Sequence, residues 1–200
     1  MYIVWSCGLV ASAVLFYKIL QGNNVTMRYP HDTVSKLNAG VYQVIVVSWA
    51  LYNITFSKQS TLLDESMIGY YIYDILSLLT TQRGRKQYMY FLHHILSIYL
   101  INLNILYNVA PHMYTNTLYF TMELSGCAMN WMKLSTEYYP SKKFKIATYT
   151  TYGLTRGVVL PIIIIKYCTC IYQPIFSKNV TVFMLIGMYM LSMNWFSRMF

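Results

Sequence analysis

Long apolar stretches alternate with short polar stretches along the whole chain. A helix needs about 20 mostly apolar residues to cross roughly 30 Å of hydrocarbon, and seven segments approach that length. The third is short and the sixth contains Pro161, so the ends of these two are the least sharply defined. The pattern predicts an all-α integral membrane protein with about seven transmembrane helices. The seven segments cover 2–20, 38–57, 67–82, 87–109, 113–135, 147–166 and 179–198.

Ionisable side chains interrupt four of these apolar segments. A charge at membrane depth is costly, so such side chains usually face the interior of a helix bundle and mark a site. We therefore expect one shared polar chamber within the membrane. The residues that predict it are Asp74, His93, His94, Glu123 and Arg156.

Uncharged polar side chains extend the same helix faces, because residues three and four positions apart lie on one side of a helix. Two interpretations stay open for them. They form the hydrogen bonds that hold neighbouring helices together, or they contact a ligand in the chamber. The expected lipid- or substrate-binding residues are the charged Arg156 and six uncharged residues, Tyr70, Tyr90, Ser97, Tyr119, Asn130 and Asn194.

The adjacent histidines point about 100° apart around a helix of 3.6 residues per turn. One ring can then face the chamber while a carboxylate from the third or fifth segment holds a ring nitrogen. That is the arrangement of an oriented general base or nucleophile. Neighbouring histidines on a regular helix chelate one ion poorly, so we expect no metal and no cofactor. The candidate catalytic residues are His93, His94, Asp74 and Glu123.

Composition limits the function classes. Only 10% of the 200 residues are charged, against roughly 25% in an average soluble domain, which favours one membrane domain. The net charge is +9, but no basic run with interleaved aromatic residues lies outside the segments, so we expect no nucleic-acid partner. Four histidines exclude a multi-histidine di-iron site, and the four cysteines show no Cys-x-x-Cys spacing.

Loop charge predicts the orientation. With seven alternating helices, eleven basic residues lie on the side of the C-terminus and three on the other side. The positive-inside rule then puts the C-terminus in the cytosol and the N-terminus in the lumen. The eleven are Lys18, Arg28, Lys36, Arg83, Arg85, Lys86, Lys133, Lys142, Lys143, Lys145 and Arg198, and the three are Lys58, Lys166 and Lys178. The histidines and Asp74 would then lie nearer the cytosolic leaflet, and this position together with short external loops disfavours a seven-helix receptor.

Several motifs in order resemble the TLC domain (TRAM, LAG1, CLN8 homology). The resemblance covers about residues 32–198, and we expect an N-terminal transmembrane anchor and loop at 1–31 followed by a TLC domain at 32–200. The motifs are DTVSKLNA at 32–39, MIGYYIYDIL at 67–76, FLHHILS at 91–97, ELSG at 123–126 with Asn130-Trp131, Arg156, and Asn194-Trp195-Phe196.

This resemblance implies a six-helix barrel made of spans two to seven, with a lipid-accessible interior and residence in the endoplasmic reticulum. Ceramide synthases of the family transfer an acyl group from acyl-CoA to a sphingoid base, which would make His93 and His94 the catalytic pair, oriented by Asp74 and Glu123. The synthase run His-Asp-x-Ser-Asp is here Met122-Glu123-Leu-Ser-Gly126, which keeps one acid.

That difference favours the non-synthase members. We expect a protein that binds membrane lipid in its chamber and acts in lipid metabolism or membrane lipid homeostasis, in a host membrane if the gene is viral. A ceramide synthase-like N-acyltransferase is the alternative, so an enzyme and a lipid-binding protein both stay open.

Overall fold

The computed structural model describes residues 2–23, 30–58, 60–80, 88–107, 112–138, 141–169 and 175–197, and every regular element in these ranges is a helix. A π-helical segment, Gly153–Val159, joins α6 to α7, and we call Lys142–Thr169 the sixth span. The predicted fold class, an all-α integral membrane protein, is confirmed. The helices are α1 (Tyr2–Gly22), α2 (Pro30–Thr55), α3 (Thr61–Thr80), α4 (Tyr88–Tyr107), α5 (His112–Tyr138), α6 (Lys142–Tyr152), α7 (Leu160–Thr169) and α8 (Ile175–Ser197).

Four helices of the described chain are by themselves long and apolar enough to cross a membrane. They comprise Tyr2–Gly22, Thr33–Thr55, Tyr88–Leu106 and Lys142–Lys166. The helices α3 and α5 each carry three charged residues, which lowers their mean hydropathy. The side chains of Asp64 in α3 and Glu123 in α5 are buried inside the protein. These two helices therefore turn charged groups away from the lipid.

Six helical units form a closed ring, in the order α2, α3, α4, α8, sixth span, α5 and back to α2. We call this arrangement the helix ring. The contact between α2 and α5 is the most extensive in it. Spans two to seven were expected to form a six-helix barrel, and the helix ring has that composition.

The remaining helix, α1, packs outside the ring against α2 and α3. Ser6 Oγ donates a hydrogen bond to the carbonyl oxygen of Gly69 at 2.8 Å, and Asn38 Nδ2 donates to the carbonyl oxygen of Leu9 at 3.0 Å. A Cβ atom at Gly69 would lie 2.5 Å from Trp5 Cβ, so the glycine permits the close approach. Away from these contacts with α2 and α3, α1 exposes apolar side chains suited to lipid contact.

Two apolar clusters stabilise the ring. One joins α2 and α3 through residues such as Val46 and Met67, and the other joins α5, α7 and α8 through Met122, Leu160 and Leu185. Buried polar side chains lie on the faces of α2, α3, α4 and α5 that meet one another. The interior of the ring therefore contains two apolar clusters and, where α2, α3, α4 and α5 meet, a set of buried polar side chains.

Several predicted bounds differ from the structure; the second span, for example, was predicted from residue 38, but α2 begins at Pro30. The third span was predicted from residue 67, but α3 begins at Thr61, because buried Asp64 belongs to the helix although its charge shortens the apolar run. The sixth span was predicted at 147–166 with loosely defined ends, and it runs from Lys142 to Thr169 with π-helical turns at Gly153–Val159, just before Pro161. Inside a continuous helical span Pro161 has no N–H to donate, and its ring would meet the carbonyl of Gly157 in a regular α-helical turn.

The predicted orientation remains a prediction. Five of its eleven cytosolic charges, Arg28, Arg83, Arg85, Lys86 and Arg198, lie outside the described residues.

Candidate functional site

A histidine–carboxylate pair joins α3 to α4. His94 Nε2 lies 2.6 Å from Asp74 Oδ2, and the His94 side chain is buried while the Asp74 side chain is 20% exposed. His94 Nδ1 has no hydrogen-bond partner among the described residues. An imidazole with one nitrogen against a carboxylate and the other available can take up a proton from a ligand.

His93 lies beside this pair and is also buried. The two imidazole rings are 5.4 Å apart between centroids, and the ring of Tyr71 contacts His94 at 5.0 Å and His93 edge-on at 6.4 Å. One turn further along α4, Ser97 Oγ donates to the carbonyl oxygen of His93 at 2.8 Å. The hydroxyl of Ser97 thus bonds to its own helix and is also a hydrogen-bond partner of Tyr71 on α3.

Glu123 on α5 is held by two neutral donors. Gln43 Nε2 donates to its Oε2 and the Tyr71 hydroxyl donates to its Oε1, each at 2.9 Å. The expectation was that Glu123 would orient a histidine directly. The two hydrogen bonds described for Glu123 come from Gln43 and Tyr71, and the Tyr71 ring also lies 5.0 Å from that of His94.

Gln43 connects α2 to this arrangement. Its Oε1 accepts a hydrogen bond from Asn130 Nδ2 at 3.0 Å, and its Nε2 lies 3.5 Å from the Tyr70 hydroxyl. A Cβ atom at Gly126 would lie 2.5 Å from Gln43 Nε2, so a glycine is required there for the amide to reach Glu123. We call Gln43, Tyr71, Asp74, His94, Glu123 and Asn130 the polar network.

Tyr70 and Tyr119 make contacts at the edge of the network. The Tyr70 ring stacks on Tyr42 at 4.5 Å between centroids. The Tyr119 hydroxyl donates to Asp64 Oδ1 at 2.6 Å. Both of these candidate ligand-binding residues are therefore engaged in contacts between helices.

Arg156 lies in the π-helical segment and joins three units of the helix ring. Nε donates to Ser125 Oγ at 2.7 Å, Nη1 to Ser192 Oγ at 3.0 Å, and Nη2 to the carbonyl oxygen of Met122 at 3.0 Å. Its guanidinium also lies 5.6 Å from the Tyr152 ring centroid. Arg156 thereby fixes α5 and α8 against the sixth span.

The other two predicted residues are peripheral. Tyr90 lies one turn before His94, with Lys133 Nζ 5.7 Å from its ring centroid. Asn194 lies half-buried near the end of α8. No group of three potential metal ligands occurs among the described residues.

An apolar cavity lies further along the same face of α4, between α4, α5 and α8. Its volume is about 40 Å³, and Leu100, Ile101, Leu118 and Leu185 supply apolar walls. Ile101 follows His94 by seven residues, or two turns, which is roughly 10 Å along the helix at 1.5 Å per residue. The cavity therefore lies about two turns from His94 along the same face of α4.

Comparison with known families identifies this architecture. Residues 8–200 match the TLC domain. The chain belongs to the TLC domain family. No curated protein and no solved structure matches it.

Membership of the TLC family supports a membrane protein with a lipid-related function. The match begins inside α1 and includes the complete helix ring. It therefore leaves the expected division at residues 31 and 32 a prediction.

The sequence analysis did not identify two central residues of the network, Gln43 and Tyr71. Gln43 is a single polar residue in an apolar stretch, and that isolation is the signal that could have revealed it. Tyr71 precedes Asp74 by three residues and so shares its helix face. Tyrosine occurs 21 times in the chain, which makes any one tyrosine hard to single out.

Proposed function

We propose that this TLC domain holds the acyl chain of a membrane lipid inside its helix ring and acts in lipid metabolism or membrane lipid homeostasis. The observation that supports this most is the His94–Asp74 pair within the polar network, with its buried histidine. Ionisable groups cost free energy at membrane depth, and neutral side chains would suffice to pack the helices. A ligand with a polar part accounts for their presence.

The cavity supports the same proposal for the apolar part of the ligand. Because it lies two turns from His94 on one face of α4, a linear amphiphile can place its polar part at the pair and its tail along Ile101. A volume of about 40 Å³ is far below the roughly 300–1,000 Å³ of a typical small-molecule pocket. It would hold only the end of a tail.

Lipid that stays with the purified protein tests this function. We expect mass spectrometry of the purified protein to find a retained acyl lipid, and Ile101→Phe to reduce it because Ile101 lines the cavity. Ile95→Phe is the matched control, since Ile95 lies on the same helix but is 43% exposed towards the bilayer. Both variants are first checked for a single, monodisperse species.

Equal loss of retained lipid in Ile101→Phe and Ile95→Phe would argue against a lipid-binding chamber. Retained lipid no different from that on an unrelated membrane protein would argue against it as well.

An N-acyltransferase of the ceramide synthase type is the alternative, and the available Nδ1 of His94 favours it. In that reaction the sphingoid amine attacks the thioester carbonyl of acyl-CoA, and His94 Nδ1 accepts the amine proton. The C–S bond then breaks, and the released thiolate takes the proton to leave free CoA and an amide. Gly126 stands where the synthase run has its second acid, and Gln43 fills that space, which is why we place this function second.

Labelled acyl-CoA and sphingoid base added to microsomes test the alternative. We expect ceramide from the wild-type chain and none from His94→Ala if the protein is a synthase. Equal ceramide from both would exclude His94 as the base. Lipid retained by His94→Ala without product from any acyl donor would favour the lipid-binding function.

We also propose residence in the endoplasmic reticulum, or in the corresponding host membrane if the gene is viral, with a lumenal N-terminus and a cytosolic C-terminus. Epitope tags at the two ends, read after selective permeabilisation of the plasma membrane, test this orientation. A tag at the N-terminus that is stained before the internal membranes are opened would contradict it.

A further inference from the structure

Four lysines lie near the connection between α5 and α6. Lys133 is half-buried on α5, and Lys142, Lys143 and Lys145 are exposed at the start of α6. No acidic residue follows Glu137 in the chain, so α6, α7 and α8 carry no side-chain carboxylate. Within the described part of the chain, none of the four lysines makes an ion pair. Their positive charge is therefore available to a ligand.

A hydrogen bond between the two helices places these lysines at one level. Thr148 Oγ1 on α6 donates to the carbonyl oxygen of Ala128 on α5 at 3.4 Å, and a short connection makes the two helices antiparallel. Counted from that bond towards the connection, Lys133 is five residues along α5, and the three lysines of α6 are three to six residues along α6. At 1.5 Å per residue, all four lie within about 5 Å of one another along the helix axes. We call these four lysines the basic surface.

Aromatic rings hold two lysines of the basic surface. Lys133 Nζ lies 5.7 Å from the ring centroid of Tyr90 on α4, and Lys145 Nζ lies 5.5 Å from that of Tyr149. A cation is attracted to the face of an aromatic ring, which keeps these ammonium groups near the end of the bundle. The apolar part of the sixth span begins at the same level, and tyrosine is enriched where hydrocarbon meets the lipid headgroups. The basic surface therefore lies at the level of the headgroups.

Apolar residues alternate with the lysines of α6. Phe144 is 37% exposed and Ile146 is 64% exposed. Exposed apolar side chains are unfavourable in water, but they fit the acyl region just below the headgroups, while a lysine extends its ammonium group towards the headgroups. A water-soluble anion would use only the charges. The combination of cationic and apolar side chains fits an anionic phospholipid, which has a phosphate above its acyl chains.

We propose that the basic surface binds the headgroups of anionic phospholipids in the surrounding leaflet. The ammonium groups of α6 contact the lipid phosphate, and Ile146 packs against the acyl chains. Lys133 adds a fourth charge from α5. None of these residues belongs to the polar network or lines the cavity, so the inference does not depend on the proposed lipid chamber.

Titration of the purified protein with short-chain phosphatidylglycerol tests the proposal. Phosphatidylcholine with the same acyl chains is the zwitterionic comparison. Native mass spectrometry in an uncharged detergent counts the bound lipids and gives an apparent dissociation constant. We expect tighter binding of phosphatidylglycerol, and we expect its affinity to fall as the ammonium acetate concentration rises, because salt screens exposed charges.

A triple variant with Lys142→Gln, Lys143→Gln and Lys145→Gln removes the charges of α6. Each lysine near the headgroups contributes about fivefold in affinity, or about 1 kcal/mol. We therefore expect the triple variant to bind phosphatidylglycerol at least about tenfold more weakly than the wild type. Lys143→Gln alone should weaken binding about fivefold, and it decides the question if the triple variant is not monodisperse.

The matched control removes the same charge at the opposite end of the bundle, with glutamine at Lys58, Lys166 and Lys178. It should keep the affinity of the wild type. Equal weakening by the two triple variants, or equal affinity of the wild type for the two lipids, overturns the proposal. Free glycerol phosphate that binds as tightly as phosphatidylglycerol also overturns it, because the ligand would then be a water-soluble anion.

Discussion

Replacing Gly126 by alanine should break the polar network at its centre. The new Cβ atom would lie 2.5 Å from Gln43 Nε2, closer than real contacts allow. Gln43 is flexible, so its side chain can rotate away from the methyl group. That rotation gives up the hydrogen bonds of Gln43 to Glu123 and Asn130.

The magnitude follows from those two bonds. A hydrogen bond to a charged acceptor contributes about 1.5–3 kcal/mol, and a neutral bond between membrane helices about 0.6 kcal/mol. Alanine recovers about 1 kcal/mol over glycine within a helix. We therefore expect Gly126→Ala to lower the free energy of unfolding by about 1–3 kcal/mol.

Gly187→Ala on α8 is the matched control, because a Cβ atom there meets nothing within 4 Å. It should be neutral or stabilising by up to about 1 kcal/mol. The assay is reversible unfolding in mixed micelles, with the free energy of unfolding compared among variants. In a Gln43→Ala background, Gly126→Ala should also become neutral or stabilising, since the atom that it displaces is gone.

Equal effects of the two glycine substitutions, or a Gly126→Ala cost that persists without Gln43, would refute this reasoning.

Three further predictions follow. Two use the same unfolding measurement, and the third uses cross-linking between helices. Tyr71→Phe removes one of the two donors to Glu123 and should cost about 1–3 kcal/mol; no loss would mean that another donor replaces it. Arg156→Met removes the three bonds that tie α5 and α8 to the sixth span and should cost about 2–4 kcal/mol, so an unchanged stability would show that these bonds are dispensable. Gly69→Ala should displace α1 from the ring, because its methyl group meets Trp5. The yield of cross-linking between cysteines placed on α1 and α3 should then fall. An unchanged yield would contradict the close contact of α1 with α3 at Gly69.

The hydrophobic pattern was sufficient to predict the helices, because the length of an apolar run reports directly on the thickness of hydrocarbon that it crosses. One of its failures has a clear cause. Asp64 and the first turn of α3 were left out of the third span since a buried charge resembles a loop charge in sequence. The ionic residues that define the network were recognised because ions at membrane depth are rare.

The partners of those ions could be predicted only in part: a carboxylate of the third or fifth segment was expected against a histidine nitrogen, and Asp74 lies 2.6 Å from His94 Nε2. Helix periodicity shows which residues share a face, but it does not show which face meets which neighbour. The sequence analysis therefore assigned Glu123 to a histidine. In the structure, the rotation of α5 against α2 brings its carboxylate to Gln43 and Tyr71. The π-helical segment around Arg156 likewise has no periodic signal in the sequence; it ends just before Pro161, which cannot donate a backbone hydrogen bond.

Photoaffinity labelling tests most directly whether the helix ring holds an acyl chain. A fatty acid with a diazirine near the end of its chain is incorporated into membranes that contain the protein, and the labelled residues are identified by mass spectrometry after irradiation. The account predicts adducts on Ile101, Leu118 or Leu185, which decrease when unlabelled lipid competes. Adducts confined to outward-facing residues such as Ile95 and Ile186 would contradict it.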